Sequence, residues 1–281
     1  DSVCYDIVCG YRTAFAYLHE AERKTFQNKE VALRRGLCLR VPCGQFCYNK
    51  IDPACILGVS GTVESLGDGQ QQVLRKYGID HYALLPSVYG ANKFKFLDQT
   101  GADPITIAQT RVEHFVAITE QVKAMVAKKR AVIVLFQTAE LLREYEQSPY
   151  LRQVLNRNIL SEDKSHEDKD FIIKKAATAG QATFTTAVFG RGTDFMCNDQ
   201  RLLEAGGVHI IQAFFSLESS EEVQIMGRTA RQGNNGSYCQ VLCSIDLQEN
   251  FGAQAPTAGE LEPQKVYKTL VEERKKLQAK R

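Results

Sequence analysis

The run AVIVLF at residues 131–136 constrains the fold more than any other stretch of the chain. It is uninterrupted and partly β-branched, which predicts a strand buried on both faces, as in a parallel sheet. Apolar residues recur at intervals of three and four from Ile105 to Lys129, so an amphipathic helix is predicted directly before this strand. The basic residues 128–130 at the end of that helix favour its dipole.

Strand-like and helical stretches continue to alternate after this run. Helices are predicted over 139–147, 169–178 and 219–228, and strands within QATFTTAVF, GGVHIIQAFF and SYCQVLCSI. Earlier in the chain, the apolar run Ile56–Val59 ends in Ser60-Gly61-Thr62, which is typical of a strand that enters a tight turn. The alternation favours right-handed βαβ crossovers, and we expect an α/β three-layer sandwich with a mostly parallel sheet.

Composition excludes several classes of protein. With 281 residues, of which 44% are hydrophobic, the chain is long enough for one large or two modest globular domains. Its net charge of +2 disfavours strong binding to the nucleic acid backbone. No apolar run is long enough for a membrane span, and the N-terminus lacks a targeting pattern, so a cytoplasmic protein is expected. Because the chain starts with Asp1 rather than Met, we expect a fragment of a longer protein.

The nine cysteines predict neither a disulfide framework nor a metal site. Their number is odd and no CxxC pair occurs, which favours free thiols in a reducing cytosol. Cys38, Cys43 and Cys47 lack a fourth ligand at a spacing typical of zinc. His209 in GGVHII is expected to be a packed residue rather than a ligand.

The first candidate site is the stretch TTAVFGRGTDF at residues 185–195, where a predicted strand ends. Ligands of open α/β sheets collect at the carboxyl ends of strands. Gly190 and Gly192 let the backbone approach a ligand closely, Arg191 offers a forked cation, and Asp194 suits ribose hydroxyls. Alternatively, the glycines only form a turn, and Arg191 and Asp194 make a local ion pair. The spacing does not decide between the two.

The second candidate site is QIMGRTARQGNNGS at residues 224–237. If residues 221–228 are helical, Gln224 and Arg228 share one face, and Arg231 lies just beyond the turn, so that the three converge. A guanidinium group matches phosphate oxygens two at a time and stabilises charge that develops during phosphoryl transfer. The structural alternative is a pair of surface arginines at a helix end.

Four stretches, GVSGT at 58–62, TTAVFGRGTDF, GGVHII and QIMGRTARQGNNGS, resemble in order and spacing the C-terminal half of the SecA preprotein-translocase motor. The resemblance covers roughly residues 56–250 and is that of a divergent relative, like the SecA-like domains of some eukaryotic proteins. It implies a RecA-like helicase C-terminal lobe, a P-loop NTPase-type fold without its own P-loop. It also implies a division into 1–64 as the remnant of an upstream first lobe, 65–250 as the second lobe, and 251–281 as a flexible charged C-terminal helix and tail.

The resemblance further implies that ATP binds between this lobe and the upstream one and drives the movement of a polypeptide. The arginines of both loops would face the phosphates, Asp194 would approach the ribose, and Gln224 would help to couple the lobes. The implied catalytic residues are Arg191, Arg228 and Arg231, and the implied nucleotide-binding residues are Gly190, Gly192, Asp194, Gln224 and Gly227. Mg²⁺ would be held by residues outside this chain.

The sequence also departs from the family. It contains neither GxxxxGK[ST] nor DExD, so the chain is not expected to hydrolyse ATP alone. The segment AFFSLESSEEV at 213–223 is acidic and apolar where the family is basic. The tail helix is expected to be largely solvated, or else docked on a partner or an upstream domain. The leading hypothesis is half of a motor ATPase, the alternative is a non-catalytic SecA-derived scaffold that binds proteins, and a nucleic acid helicase comes last.

Overall fold

The computed structural model describes residues 55–63, 66–96, 104–195, 197, 199–252, 255–256 and 262–280, together with 19, 22 and 23. The chain divides into two compact units, one of residues 1–58 and 72–80, and the other of residues 59–71 and 81–281. The expected remnant domain at 1–64 lies mostly outside the described residues, and so do Cys38, Cys43 and Cys47. The four cysteines that are described, at 55, 197, 239 and 243, are free thiols.

Among the described residues, seven strands form one sheet, which lies in the second unit. They are β1 Lys93–Lys95, β2 Ile105–Ala108, β3 Val132–Phe136, β4 Arg157–Leu160, β5 Ala182–Thr186, β6 Val208–Gln212 and β7 Asn235–Cys243. The strand order is β1-β7-β6-β3-β5-β4, with β2 also paired to β7, and every pair is parallel. The predicted α/β class with a mostly parallel sheet is therefore confirmed.

Helices cover both faces of this sheet. They are α2 Arg111–Ala127, α3 Ala139–Gln147, α4 His166–Ala176, α5 Gln200–Glu204, α6 Ser219–Met226, α7 Ser244–Phe251 and α8 Pro263–Lys280. A further helix, α1 Asp68–Lys76, comes before the strands in the chain. The run 131–136 shows the two-sided burial directly. Val132, Val134 and Phe136 pack in one core with α2 and α3, whereas Ile133 and Leu135 pack in the other, which includes residues of α6, α7 and α8.

The helix predicted from Ile105 begins later than expected. Ile105–Ala108 form β2, which pairs with β7 from Gln240 onward, because β-branched residues fit a buried edge better than a helix start. Thr110 begins the helix instead. Its hydroxyl accepts a hydrogen bond from the Glu113 amide at 3.2 Å, and the Glu113 carboxylate accepts from the Thr110 amide at 3.4 Å, which is a complete capping box.

Two other helices begin or end at residues that differ from the predicted ones. Ser165 caps α4, so this helix starts at His166, inside the charged stretch that precedes the predicted start at 169. The helix predicted over 219–228 ends at Met226, before the arginine motif. The strand predicted within 181–189 ends at Thr186, and a short 3₁₀ helix follows at Ala187–Gly190.

The C-terminal helix α8 packs on this same unit, which corrects the expectation of a solvated helix or one docked elsewhere. Val266, Leu270 and Arg274 are all buried. Arg274 forms an ion pair with Glu222 of α6, and both side chains are almost fully buried, at 6% and 2% exposure. The apolar side of α8 is narrow, but the helix can still pack on the domain because its buried cation, Arg274, is paired with the carboxylate of Glu222.

Further hydrogen bonds complete this buried ion pair. Glu222 Oε1 accepts from the Tyr267 hydroxyl at 2.9 Å and from the Gln240 side-chain amide at 3.0 Å. Arg274 Nη1 also donates to the Ser216 carbonyl at 3.1 Å. The ion pair therefore joins α8, α6, β7 and the segment at 213–223, of which residues 213–216 and Glu222 are buried.

We expect Arg274→Met to lower the free energy of unfolding by about 3–5 kcal/mol, because it leaves the Glu222 charge buried without its cation. Urea denaturation monitored by circular dichroism measures this change. The matched control is Lys265→Met on the same helix, whose pair with Glu262 at 3.6 Å is exposed and contributes about 0–1 kcal/mol. Equal losses in the two variants would contradict the role given to the buried pair.

His209 is packed in the sheet, as the sequence predicted. Its Nδ1 lies 2.7 Å from the Ser237 hydroxyl. Burial, aided by the charges of Arg130 and Lys128, lowers the pKa of His209 to about 3. The imidazole is therefore neutral in the folded chain throughout the physiological range.

The depressed pKa of His209 makes stability depend on pH. In the unfolded chain His209 has a pKa of about 6.5, whereas in the folded chain it stays unprotonated down to about pH 3. Between these values the unfolded chain binds one more proton than the folded chain, so the free energy of unfolding falls as the pH drops through this window. We expect His209→Gln to lose less stability than the natural chain between neutral pH and about pH 5. Urea denaturation at each pH tests this, and identical pH slopes would refute it.

Candidate functional site

One cleft collects residues of both predicted motifs. It has a volume of about 150 Å³ and is lined by the loop after β5 and by the segment between α6 and β7. Its lining comprises Asp194, Phe195, Cys197, Leu203, Val208, Arg228, Thr229, Ala230, Arg231, Gln232, Asn234 and Asn235. The two motifs therefore build one site although they are more than 30 residues apart in the chain.

The cleft lies at the amino ends of β6 and β7, because Val208 and Asn235 are the first residues of these strands. The sequence argument expected ligand loops at carboxyl ends, and the GRGTD loop does begin there, after β5. In a parallel sheet, however, each connection must return to the opposite edge before the next strand starts. Residues 191–207 make this return, and the arginine motif stands immediately before β7.

Arg228 is half-buried and bridges the two motifs. Its Nε donates to the Gln224 carbonyl at 3.1 Å, and its Nη1 donates to the Thr193 carbonyl. The predicted proximity of Gln224 and Arg228 is present, but it runs through the Gln224 backbone rather than its side chain. Burial lowers the pKa of Arg228, the Arg231 charge lowers it further, and Asp194 opposes the shift.

Arg231 forms an ion pair with Asp194 across the cleft. Both side chains are half-exposed, at 43% and 52%. Asp194 thus pairs with Arg231 and not with Arg191, the partner of the local ion pair considered from the sequence. Arg191 is exposed and does not line the cleft.

The glycines serve different purposes. A Cβ atom on the buried Gly190 would lie 2.6 Å from Ile225 Cγ1, so this glycine lets the 3₁₀ helix pack tightly on α6. Gly192 has a φ of +67°, which permits the turn toward Asp194. Gly227 follows α6 with an ordinary helical φ of −69°, so its backbone conformation does not require a glycine. A Cβ atom there would lie no closer than 3.4 Å to neighbouring atoms, so close packing does not require one either.

The arginine motif contains left-handed backbone conformations that its sequence did not predict. Ala230 and Gln232 adopt left-handed conformations with φ of 51° and 54°, on either side of Arg231. Such a conformation costs a non-glycine residue roughly 1–2 kcal/mol. Residues held in this way cluster at functional sites, where the surrounding structure fixes them. No residue type at these positions could have revealed it.

The chemistry of the cleft suits an anion with several oxygens. It offers one guanidinium held by carbonyl groups and a second held by an exposed carboxylate. Within the described part of the chain, no group of His, Cys, Asp and Glu side chains could hold a metal ion. None of the helices in that same part is both long and apolar enough to cross a bilayer.

Solved structures with a similar fold include helicases. The Escherichia coli DEAD-box protein SrmB, bound to regulator of ribonuclease activity A, is 18% identical with a TM-score of 0.41, over 50% of this chain and 77% of that chain. Saccharomyces cerevisiae Dbp5, bound to RNA and ADP BeF3, is 13% identical with a TM-score of 0.47, over 74% of this chain and 46% of that chain.

The sequence itself matches SecA. Residues 101–201 match the family model of the SecA P-loop domain. The protein translocase subunit SecA of Syntrophus aciditrophicus is 35% identical over 153 residues, which is 53% of this chain and 17% of that protein. SecA of Lawsonia intracellularis is 32% identical over 210 residues, which is 73% of this chain and 23% of that protein. The matched part thus spans between 17% and 23% of these relatives' length. The expected resemblance is confirmed: this chain is similar in sequence to SecA protein translocase subunits, and its residues 101–201 match the model of the SecA P-loop domain.

Proposed function

We propose that this chain forms the second nucleotide-binding lobe of a SecA-like, ATP-driven motor that acts on polypeptides. In this proposal the lobe supplies Arg228 and Arg231 to an ATP site. The phosphate loop and the Mg²⁺ ligands of that site belong to a partner lobe outside this chain. The observation that carries the proposal is the convergence of both arginines with Asp194 on one cleft.

Arg231 is the group that can change partners. Its ion pair with Asp194 is exposed, and such pairs contribute only about 0–1 kcal/mol. A phosphate carries more charge and accepts two parallel hydrogen bonds from one guanidinium, so it competes well with a single carboxylate. ATP would therefore draw Arg231 away, and the freed Asp194 would be available to the ribose hydroxyls.

Arg228 acts as the fixed member of the pair. Two of its donors are engaged by the carbonyls of Gln224 and Thr193, and the rest of its five N–H groups remain for a phosphate. Because the group is half-buried and already oriented, it stabilises charge without reorganising during the reaction. Its bond to the Gln224 carbonyl also links phosphate contact to α6, in keeping with a coupling role for Gln224.

Other motif residues take secondary places in this proposal. The exposed Arg191 would approach the phosphates once the partner lobe closes the cleft. Gly190 and Gly192 would shape the loop that carries Asp194, and Gly227 would join α6 to Arg228. The lobe would comprise residues 65–250, and its partners would be the upstream lobe, a polypeptide substrate and ATP with Mg²⁺, in the cytoplasm.

We expect Arg228→Ala and Arg231→Ala each to lower the kcat for ATP hydrolysis by about 10³-fold or more, the effect of removing an arginine that stabilises phosphoryl transfer. The measurement is steady-state phosphate release by the full natural protein that contains this chain. Arg143→Ala is the matched control, because this arginine is exposed on α3 and pairs with Glu140 at 3.8 Å.

Two results would count against the motor. Variants that hydrolyse ATP at the rate of the Arg143→Ala control would show that the arginines do not serve the phosphates. A natural protein that hydrolyses no ATP would favour the alternative, a non-catalytic scaffold that binds other proteins.

A further inference from the structure

Arg130 is a half-buried cation that contacts carbonyl groups instead of a carboxylate. Its Nε donates to the Gly207 carbonyl at 3.0 Å, and its Nη2 donates to the carbonyls of Gly206 at 2.9 Å and Val208 at 3.3 Å. Among the described residues it has no acidic partner within ion-pair distance. Burial lowers the pKa of Arg130 to about 10, so the group stays charged at neutral pH.

A half-buried guanidinium without a carboxylate partner is unfavourable and calls for an explanation. Taking a guanidinium out of water is costly unless its donors are satisfied, and carbonyl dipoles compensate less than an opposite charge does. The sequence assigned Arg130 only to the dipole of the preceding helix, yet its side chain reaches across to the turn before β6. Gly206 and Gly207 both adopt positive φ, at +105° and +74°, and this turn directs successive carbonyls toward the guanidinium.

The contact continues into the arginine motif through one shared acceptor. The Val208 carbonyl accepts from Arg130 and also from the Thr229 hydroxyl at 2.6 Å. Thr229 is buried and stands between Arg228 and Arg231 in the chain. Val208 and Thr229 both line the cleft. Hydrogen bonds through the Val208 carbonyl therefore connect Arg130, just beyond α2, with Thr229, which lies between the two arginines in the chain.

We infer that Arg130 is a positioning residue for the arginine pair: it fixes the Val208 carbonyl, which fixes Thr229 and with it the backbone that presents Arg228 and Arg231. Its role in nucleotide chemistry rests on the proposed function. The placement of the motif does not, because it depends only on hydrogen bonds within the chain. The two parts of the inference can therefore be tested separately.

The first test measures amide hydrogen exchange in Arg130→Met without nucleotide. The amides of Thr229 and Asn234, which donate to the carbonyls of Met226 and Arg231, should exchange about tenfold faster once the bonds of the charged group are lost. Arg130→Lys keeps the positive charge but loses the planar guanidinium with its several donors, so it should restore only part of the protection from hydrogen exchange.

The matched control is Arg157→Met, because Arg157 Nη1 also donates to a backbone carbonyl, that of Val154 at 2.7 Å, but on the far edge strand β4. It should leave exchange at Thr229 and Asn234 unchanged. If Arg130→Met does not fold, Thr229→Val replaces it, since this change removes the hydroxyl and keeps the shape. Exchange at these amides equal to that of the control would overturn the inference.

The second test uses the full natural protein and steady-state ATP hydrolysis. Arg130→Met should lower kcat by about 10²-fold, the cost of a small misplacement of catalytic groups, with a smaller change in KM. Faster exchange together with an unchanged kcat, in a protein that Arg228→Ala inactivates, would overturn the catalytic part. If the natural protein does not hydrolyse ATP, the proposed function fails, and the exchange measurement still decides the placement.

Discussion

All strands of the described sheet run in one direction, and the rest of the structure depends on this constraint. Each connection must carry the chain from the carboxyl edge of the sheet back to the amino edge. The connections before β6 and β7 are adjacent because these strands are neighbours. Asp194, in the first connection, therefore meets Arg231, in the second, and the cleft forms where both connections arrive at the amino edge.

The arginines at 130, 228, 231 and 274 differ in the groups that hold them. Arg274 has a buried carboxylate partner and joins α8 to the domain, whereas Arg130 and Arg228 are held by carbonyl groups. Carbonyl groups orient a guanidinium without neutralising it, so Arg228 keeps its full charge for an anion. Arg231 is held by an exposed carboxylate, and in the proposed function it is the member that changes partner.

Patterns that depend on local periodicity were predictable, and contacts between distant residues were not. The run 131–136 identified β3 and its two-sided burial, and the motif spacing identified Arg228 and Arg231 as neighbours of one loop. The pairing of Arg231 with Asp194 joins residues 37 positions apart, and that of Arg274 with Glu222 joins residues 52 positions apart. Such pairs follow only from the strand order. Residues Ile105–Ala108 were wrongly predicted to be helical because a short apolar run fits both the helical and the strand period.

The acidic segment at 213–223 bears on the choice between a motor and a scaffold. Its departure from the basic pattern of the family was one of two sequence reasons for the scaffold. The segment is packed under α8, where Phe215 lies 5.0 Å from the Arg274 guanidinium and Glu222 accepts from that same group. A basic side chain at 222 would face Arg274 in a buried site, so the acidic residue there is required by the partner helix. Packing within this chain thus accounts for the apolar residues 213–215 and for Glu222, which leaves the missing phosphate loop as the main sequence reason for the scaffold.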